Sequence, residues 1–389
     1  MSSLFEAEIN RQNTKSAKWD LVKHLYGSED VLPMWVADMD LKVPEVVTKA
    51  LQDRVDHGIF GYTLIDTSVK ESVSNWVNTM HHWKINKSWL QFSPGVITTL
   101  HMAVQTFTNE QDNILIQTPV YPPFYQIIET HNRKVVKNPL LFVNGKYEID
   151  FDDMEQKMQQ GIKAFILCNP HNPVGRVWSK EELIKIIELC KKYHVLILSD
   201  EIHADLVYPS YQHIPIASLD DEIRDKTITC MSPTKTFNLA GLQASYAVVP
   251  NKEMREQLDQ MFQKQGIHGI NTMGIAALEA AYTDGAEWLA SLKDHLLKNA
   301  TMIKDMLKDC EEITMIEPEG TYLIWLDFRK LGFTQEELKE LLQKEAKVGL
   351  NDGVSFGIEG TGFMRVNIAT TSERVKEGMS RIIHAVKNR

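Results

Sequence analysis

The sequence predicts an α/β fold, a mostly parallel sheet with helices on both faces, followed by a smaller α+β unit. Three observations predict it. Short apolar runs rich in β-branched residues recur between positions 113 and 249, and segments of helical spacing separate them. From about Asp284 onward, one long helical pattern gives way to isolated strand-like runs. Strands that are apolar throughout belong to sheets covered on both faces, and alternation with helices is the pattern of parallel crossover units.

In chain order, the first strong helix signal opens after Pro94-Gly95, where Val96, Leu100, Ala103, Val104 and Phe107 fall on one face. Strand-like runs follow at 113–117 (NILIQ) and 164–168 (AFILC). Ser179-Lys180-Glu181-Glu182 then reads as a capping box, and Leu183, Ile186, Ile187 and Cys190 line one face behind it. Further apolar runs lie at 195–199 (VLILS), 227–230 (TITC) and 245–249 (SYAVV). Beyond Asp284, Leu289, Leu292, Leu296, Ile303 and Leu307 mark a long helix. Residues 321–328 (TYLIWLDF) and 363–369 read as strands, with a second capping box at 334–337 between them. Gly353, Gly357, Gly360 and Gly362 precede a strand instead of following one, the wrong order for a dinucleotide loop, so they read as turns.

A chain of 389 residues is long enough for two or three domains at roughly 100–200 residues each. Hydrophobic residues at 43% supply ample core and exclude a disordered or fibrous chain. A net charge of −10 argues against nucleic acid or an anionic membrane surface as partner. The first twenty residues carry acids and amides where a signal peptide needs a continuous apolar stretch, and no run approaches the ~20 apolar residues of a membrane span. The four cysteines are far apart with no C-x-x-C, which reads as free buried thiols in a reducing cytoplasm.

Ligands of open α/β sheets bind beyond the carboxyl ends of the strands. Three runs end in polar residues of the right kinds: 164–168 leads into Asn169-Pro170-His171-Asn172, 195–199 into Asp200-Glu201-Ile202-His203, and 227–230 into Ser232-Pro233-Thr234-Lys235. Alone, each has a plain reading: Asp200 as a helix cap, Asn172 as an Asn-Pro turn, Lys235 as a surface lysine. The S-x-x-K at Ser232 also occurs in serine β-lactamases, but their K-T-G and S-D-N partners are absent. Asp200, His203 and Asp205 lack the H-E-x-x-H or cysteine cluster of a zinc site, and no metal is expected.

The blocks NTKSAKWD (13–20), PMWVADMD (33–40), FGYT (60–63), SPGVITTL (93–100), PVYPPF (119–124), LCNPHNPVGRVW (167–178), SDEIHADL (199–206), SPTKTFNLAGL (232–242) and GFMRVNIAT (362–370) run nearly end to end. Together they resemble the class I/II aminotransferase family, and within it the MalY/PatB-type cystathionine β-lyase (C-S β-lyase) branch. The resemblance implies the fold type I architecture of pyridoxal phosphate enzymes, with a seven-stranded-type sheet in a large domain (46–284). A small domain would be formed by 1–45 together with 285–389.

It implies pyridoxal 5'-phosphate as cofactor, Lys235 as its Schiff-base lysine and Asp200 as the partner of the ring nitrogen. Asn172 would serve the phenolic oxygen, and Tyr121 would stack on the ring. His203 stands where ordinary aminotransferases carry tyrosine, a departure that leaves its role open. The phosphate would lie at the helix start formed by Gly95, Val96 and Ile97, with Ser232 adding a hydroxyl and Tyr62 reaching across a homodimer interface. The arginine that many relatives place eight residues past the lysine is here Gln243, which shifts weight onto the remaining phosphate groups. Arg365 matches the anchor of the substrate α-carboxylate, with Ala37, Tyr121 and Asn172 in the same region.

The implied reaction is β-elimination from cysteine S-conjugates, giving a thiol, pyruvate and ammonia. An amino-acid aminotransferase on the same cofactor is the alternative. A purely regulatory binding module is disfavoured because Lys235, Asp200 and Arg365 are all retained.

Overall fold

The apolar runs assemble into one seven-stranded sheet in the structure, a computed structural model that describes residues 5–389. Its strands are β1 (Leu90–Ser93), β2 (Asn113–Thr118), β3 (Lys134–Pro139), β4 (Ile162–Cys168), β5 (Leu196–Asp200), β6 (Thr227–Met231) and β7 (Ser245–Val248), in the order β1-β7-β6-β5-β4-β2-β3. The central neighbours are parallel, whereas β7 runs antiparallel to both β1 and β6. The mostly parallel α/β expectation is met. The apolar pattern does not reveal β1 and β3, nor the reversed direction of β7.

Alternate residues of each central strand feed opposite cores, as the period of two requires. Phe165 and Leu167 of β4 pack with Leu183, Ile186, Ile187 and Cys190 of the helix Lys180–Tyr193. Ala164 and Ile166 pack on the other face with Val96, Leu100 and Ala103 of the helix Val96–Phe107. Both predicted capping boxes form, at Ser179 with Glu182 and at Thr334 with Glu337.

Register then levels the strand ends. Cys168 lies opposite Asp200, and Asp200 opposite Cys230, so the loops leaving β4, β5 and β6 emerge side by side. A smaller antiparallel sheet follows, with β8 (Thr314–Met315), β9 (Leu323–Asp327), β10 (Asn351–Asp352) and β11 (Phe363–Asn367) in the order β8-β9-β11-β10. Leu32–Pro33 from the N-terminal segment pairs with Val348–Gly349 beside it. That pairing supports grouping 1–45 with 285–389 against 46–284, a division we propose; residues 1–4 lie outside the described residues.

Candidate active site

Nine of the residues singled out from sequence line one cavity of about 180 Å³ at the levelled strand ends: Ala37, Gly95, Val96, Ile97, Tyr121, Asn172, Asp200, His203 and Lys235. The helix Val96–Phe107 begins there, with Gly95 as its N-cap. Its first N–H groups and positive helix end therefore face the cavity, the usual setting for a phosphate. A β-carbon at Gly95 would meet nothing nearer than Thr98 Oγ1 at 3.7 Å, so a side chain there would extend into the cradle.

Lys235 sits in the short helix Pro233–Thr236 and is half-buried at its surface but desolvated at its amine. Burial and the nearby Arg365 charge lower its pKa to about 8. Its Nζ donates to the carbonyl of Ala37 at 2.7 Å. A depressed lysine is neutral often enough near working pH to act as nucleophile and as base.

Asp200 ends β5 and is 4% exposed. Its hydrogen-bond partner is the N–H of Ile202 at 3.1 Å, and burial raises its pKa to about 7. The helix-cap alternative fails, because turns and not a helix follow. A buried carboxylate without a contacting cation is the group that a protonated ring nitrogen would neutralise.

His203 is held neutral, its pKa pushed down to about 3 by burial and by the charges of Lys235 and Arg365. Its Nδ1 has no hydrogen-bond partner among the described residues, and its ring meets Tyr322 edge-on at 6.0 Å. Asp205, two residues on, turns away from the cavity. It accepts from Trp76 Nε1 (3.0 Å), His81 Nε2 (2.8 Å) and Thr236 Oγ1 (2.7 Å).

Arg365 reaches in from β11, where Nη1 donates to Asn172 Oδ1 at 2.9 Å and Nη2 to Asn351 Oδ1 at 2.6 Å. Burial lowers its pKa to about 10, and its guanidinium lies over Phe356 at 4.8 Å.

Two residues stand apart from this cluster. Ser232 caps the lysine helix, accepting from Thr234 N (3.0 Å) and donating to the carbonyl of Ala244 (2.7 Å), while Thr234 lines the cavity instead. Tyr62 lies on the exposed 58–66 stretch, fully in solvent in the single chain, next to the exposed Ile59, Phe60 and Leu64.

Sequence reasoning missed Tyr322, whose hydroxyl also donates to the carbonyl of Ala37 (2.9 Å), and Asn238, Asn351 and Asn367. Asn367 lies inside the quoted block GFMRVNIAT, Asn238 inside SPTKTFNLAGL and Tyr322 inside the strand run TYLIWLDF, so three of the four lie in quoted runs.

The donor set fits pyridoxal phosphate. An unpaired buried carboxylate suits the ring nitrogen, an open helix N-terminus suits the phosphate, and an amine with a lowered pKa suits the aldehyde. The guanidinium among neutral acceptors suits a carboxylate.

Comparison with known proteins agrees. The family model "Aminotransferase class I and II" matches residues 29–382. Cystathionine beta-lyase PatB of Bacillus subtilis is 44% identical over 97% of this chain and 98% of its own. Cystalysin from Treponema denticola, whose crystal structure contains a pyridoxal 5'-phosphate cofactor, superposes with a TM-score of 0.96 at 36% identity, covering 99% of this chain and 98% of its own. A PLP-bound C-S lyase from Staphylococcus hominis superposes with a TM-score of 0.91 at 32% identity, covering 98% and 97%.

Proposed function

From the premise that the chain belongs to the class I and II aminotransferase family, we propose that it is a pyridoxal phosphate-dependent carbon–sulfur β-lyase. It cleaves cysteine S-conjugates, cystathionine or related thioethers, to a thiol, pyruvate and ammonia. The observation that carries the reading is the single cavity in which Lys235, Asp200, Asn172 and His203 converge, with Arg365 bonded to Asn172 behind it. Relatives named cystathionine beta-lyase and C-S lyase, similar along nearly the whole chain, favour elimination over amino-group transfer.

When bound, the cofactor supplies the electron sink that stabilises negative charge at the substrate's α-carbon. The protein's residues supply the rest. Asp200 would hold the ring-nitrogen proton, and the N–H groups of Val96 and Ile97, with Thr234 beside them in place of Ser232, would hold the phosphate. Tyr121 would cover a ring face, and Asn172 and His203 would offer polar atoms to its edge.

Arg365 grips the α-carboxylate bidentately and so fixes the α-C–H direction. Lys235, neutral above about pH 8, removes that proton, and the sulfur then leaves from the β-carbon with the electron pair of the broken C–S bond. The Lys235 ammonium can return its proton to the departing thiolate. Water completes the release of pyruvate and ammonia.

Exposed Ile59, Phe60, Tyr62 and Leu64 support a homodimer in which Tyr62 reaches the partner's phosphate site. Four free, buried cysteines support a reducing cytoplasm, and among the described residues no helix is long and apolar enough to cross a membrane.

Replacing Lys235 by alanine tests the site. The variant is expected to lose the visible absorbance of bound cofactor and all turnover, and an active variant would overturn the assignment.

A further inference from the structure

The stretch 35–41 crosses the site with few backbone partners, yet every carbonyl from Trp35 to Met39 accepts from a side chain. Arg365 donates to Trp35 (3.3 Å), Asn367 to Val36 (2.5 Å) and Asp38 (2.6 Å), and Asn238 to Met39 (3.0 Å) and Leu41 (3.1 Å). The carbonyl of Ala37 takes Lys235 Nζ and the Tyr322 hydroxyl together. Since a carbonyl oxygen has two lone pairs, its capacity is filled.

The far side of this stretch is fixed by charge. Lys18 Nζ and Asp40 Oδ2 are 2.9 Å apart with side chains only 1% and 2% exposed. Arg11 bonds Asp40 and Asp38, each at 2.7 Å, and Trp19 Nε1 donates to Asp40 at 2.9 Å. Trp35 Nε1 returns a bond to the carbonyl of Lys18 at 3.1 Å. A buried pair of this kind adds little net stability over apolar replacements, because desolvation offsets attraction, but it fixes geometry.

We propose that Lys18 and Asp40 form an ionic latch that sets the position of the Ala37 carbonyl and thereby parks the Lys235 amine between its proton transfers. The inference rests on Lys235 being the base, as argued above. A carbonyl acceptor is the right parking place. It holds one N–H and cannot donate to nitrogen, so the lone pair of the neutral amine stays available for the α-proton, and it continues to hold the amine once protonated. Neither Lys18 nor Asp40 lines the cavity; they are positioning residues, and small misplacements of a reacting group cost up to about 10²-fold in rate.

The test uses the cofactor-loaded enzyme with Lys18→Met, Lys18→Arg and the double variant Lys18→Met/Asp40→Leu, which removes both charges should the single change, with Arg11 as the one remaining cation on Asp40, block folding. Turnover of L-cystathionine against pH, the pH titration of the cofactor's visible absorbance, and amide hydrogen exchange over 35–41 are measured. The latch predicts full cofactor content, KM within about threefold, kcat lowered roughly 10–100-fold, a displaced midpoint in both pH titrations, and faster exchange confined to 35–41. Lys18→Arg should recover most of kcat. Wild-type kcat and titration midpoints in the double variant, or a loss confined to KM or to melting temperature, would overturn it. Were wild-type enzyme itself to release no thiol, the lyase reading would fall, while the absorbance titration and exchange data would still decide the latch.

Discussion

Arg365 and Asn172 lie 193 residues apart and are joined by a 2.9 Å hydrogen bond from Nη1 to Oδ1. The bond ties β11 of the smaller sheet to the loop leaving β4 of the larger one. It also explains why a guanidinium can be buried to 4% exposure with no carboxylate in contact: Asn172, Asn351 and the carbonyl of Trp35 supply neutral acceptors. Its Nε has no partner among the described residues, and burial lowers the pKa, so the cation gains by meeting an anion.

Arg365→Lys keeps the charge but loses the planar fork. Steady-state kinetics should show KM for L-cystathionine raised about 10–100-fold, as expected for losing a charged hydrogen bond of about 1.5–3 kcal/mol, with cofactor absorbance unchanged.

Lys235 gives a pH signature. Its folded pKa of about 8 lies below the ordinary 10.5, so between those values the unfolded chain binds more protons than the folded one. Stability of the cofactor-free protein should therefore rise with pH from about 8 to 10.5, and Lys235→Met should flatten that rise in melting scans. The elimination rate should rise with pH and level off above about 8, as the amine becomes neutral.

Asp200 carries the opposite sign. Its folded pKa of about 7 exceeds the ordinary 3.8, so the folded state binds more protons in that interval and stability falls as pH rises through it. Asp200→Asn should raise the melting temperature of the cofactor-free protein at pH 8 by a few degrees or more, while equilibrium dialysis should show weakened cofactor retention. Stability and function are in tension at this residue.

Asp205 is a structural carboxylate tied to the lysine helix through Thr236, buried and accepting from Trp76, His81 and Thr236. Asp205→Ala should cost about 3–5 kcal/mol, read by chemical denaturation, because it strands buried donors and breaks the pairing with His81.

The exposed apolar stretch around Tyr62 predicts self-association. Light scattering should give twice the chain mass, and Phe60→Asp should shift the protein toward the single chain and loosen its cofactor.

Much of the site was legible because its groups follow apolar strand runs: Asn172 after β4, Asp200 at the end of β5, Lys235 after β6. What was not legible has physical causes. β1 reads LQFS and β3 reads KVVKNP; one is four residues long, and the other is an edge strand whose lysines interrupt the apolar pattern. The reversed direction of β7 leaves no trace in SYAV, since a buried strand is apolar whichever way it runs. Ser232 could be placed beside the lysine but its hydroxyl could not be followed to the Ala244 carbonyl. Lys18 and Asp40 meet across 22 residues that include the helix Val22–Tyr26 and the strand Leu32–Pro33, so no periodicity reports them.

Expulsion of a β-sulfur from the carbanion made at this site is what separates a lyase from an aminotransferase. Cofactor-saturated protein should be incubated with L-cystathionine, with no 2-oxo acid present, while free thiol and pyruvate are quantified together. Equimolar thiol and pyruvate over many turnovers is the predicted result. Absence of thiol, with amino-group transfer appearing only once a 2-oxo acid is added, would contradict it and make the enzyme an aminotransferase.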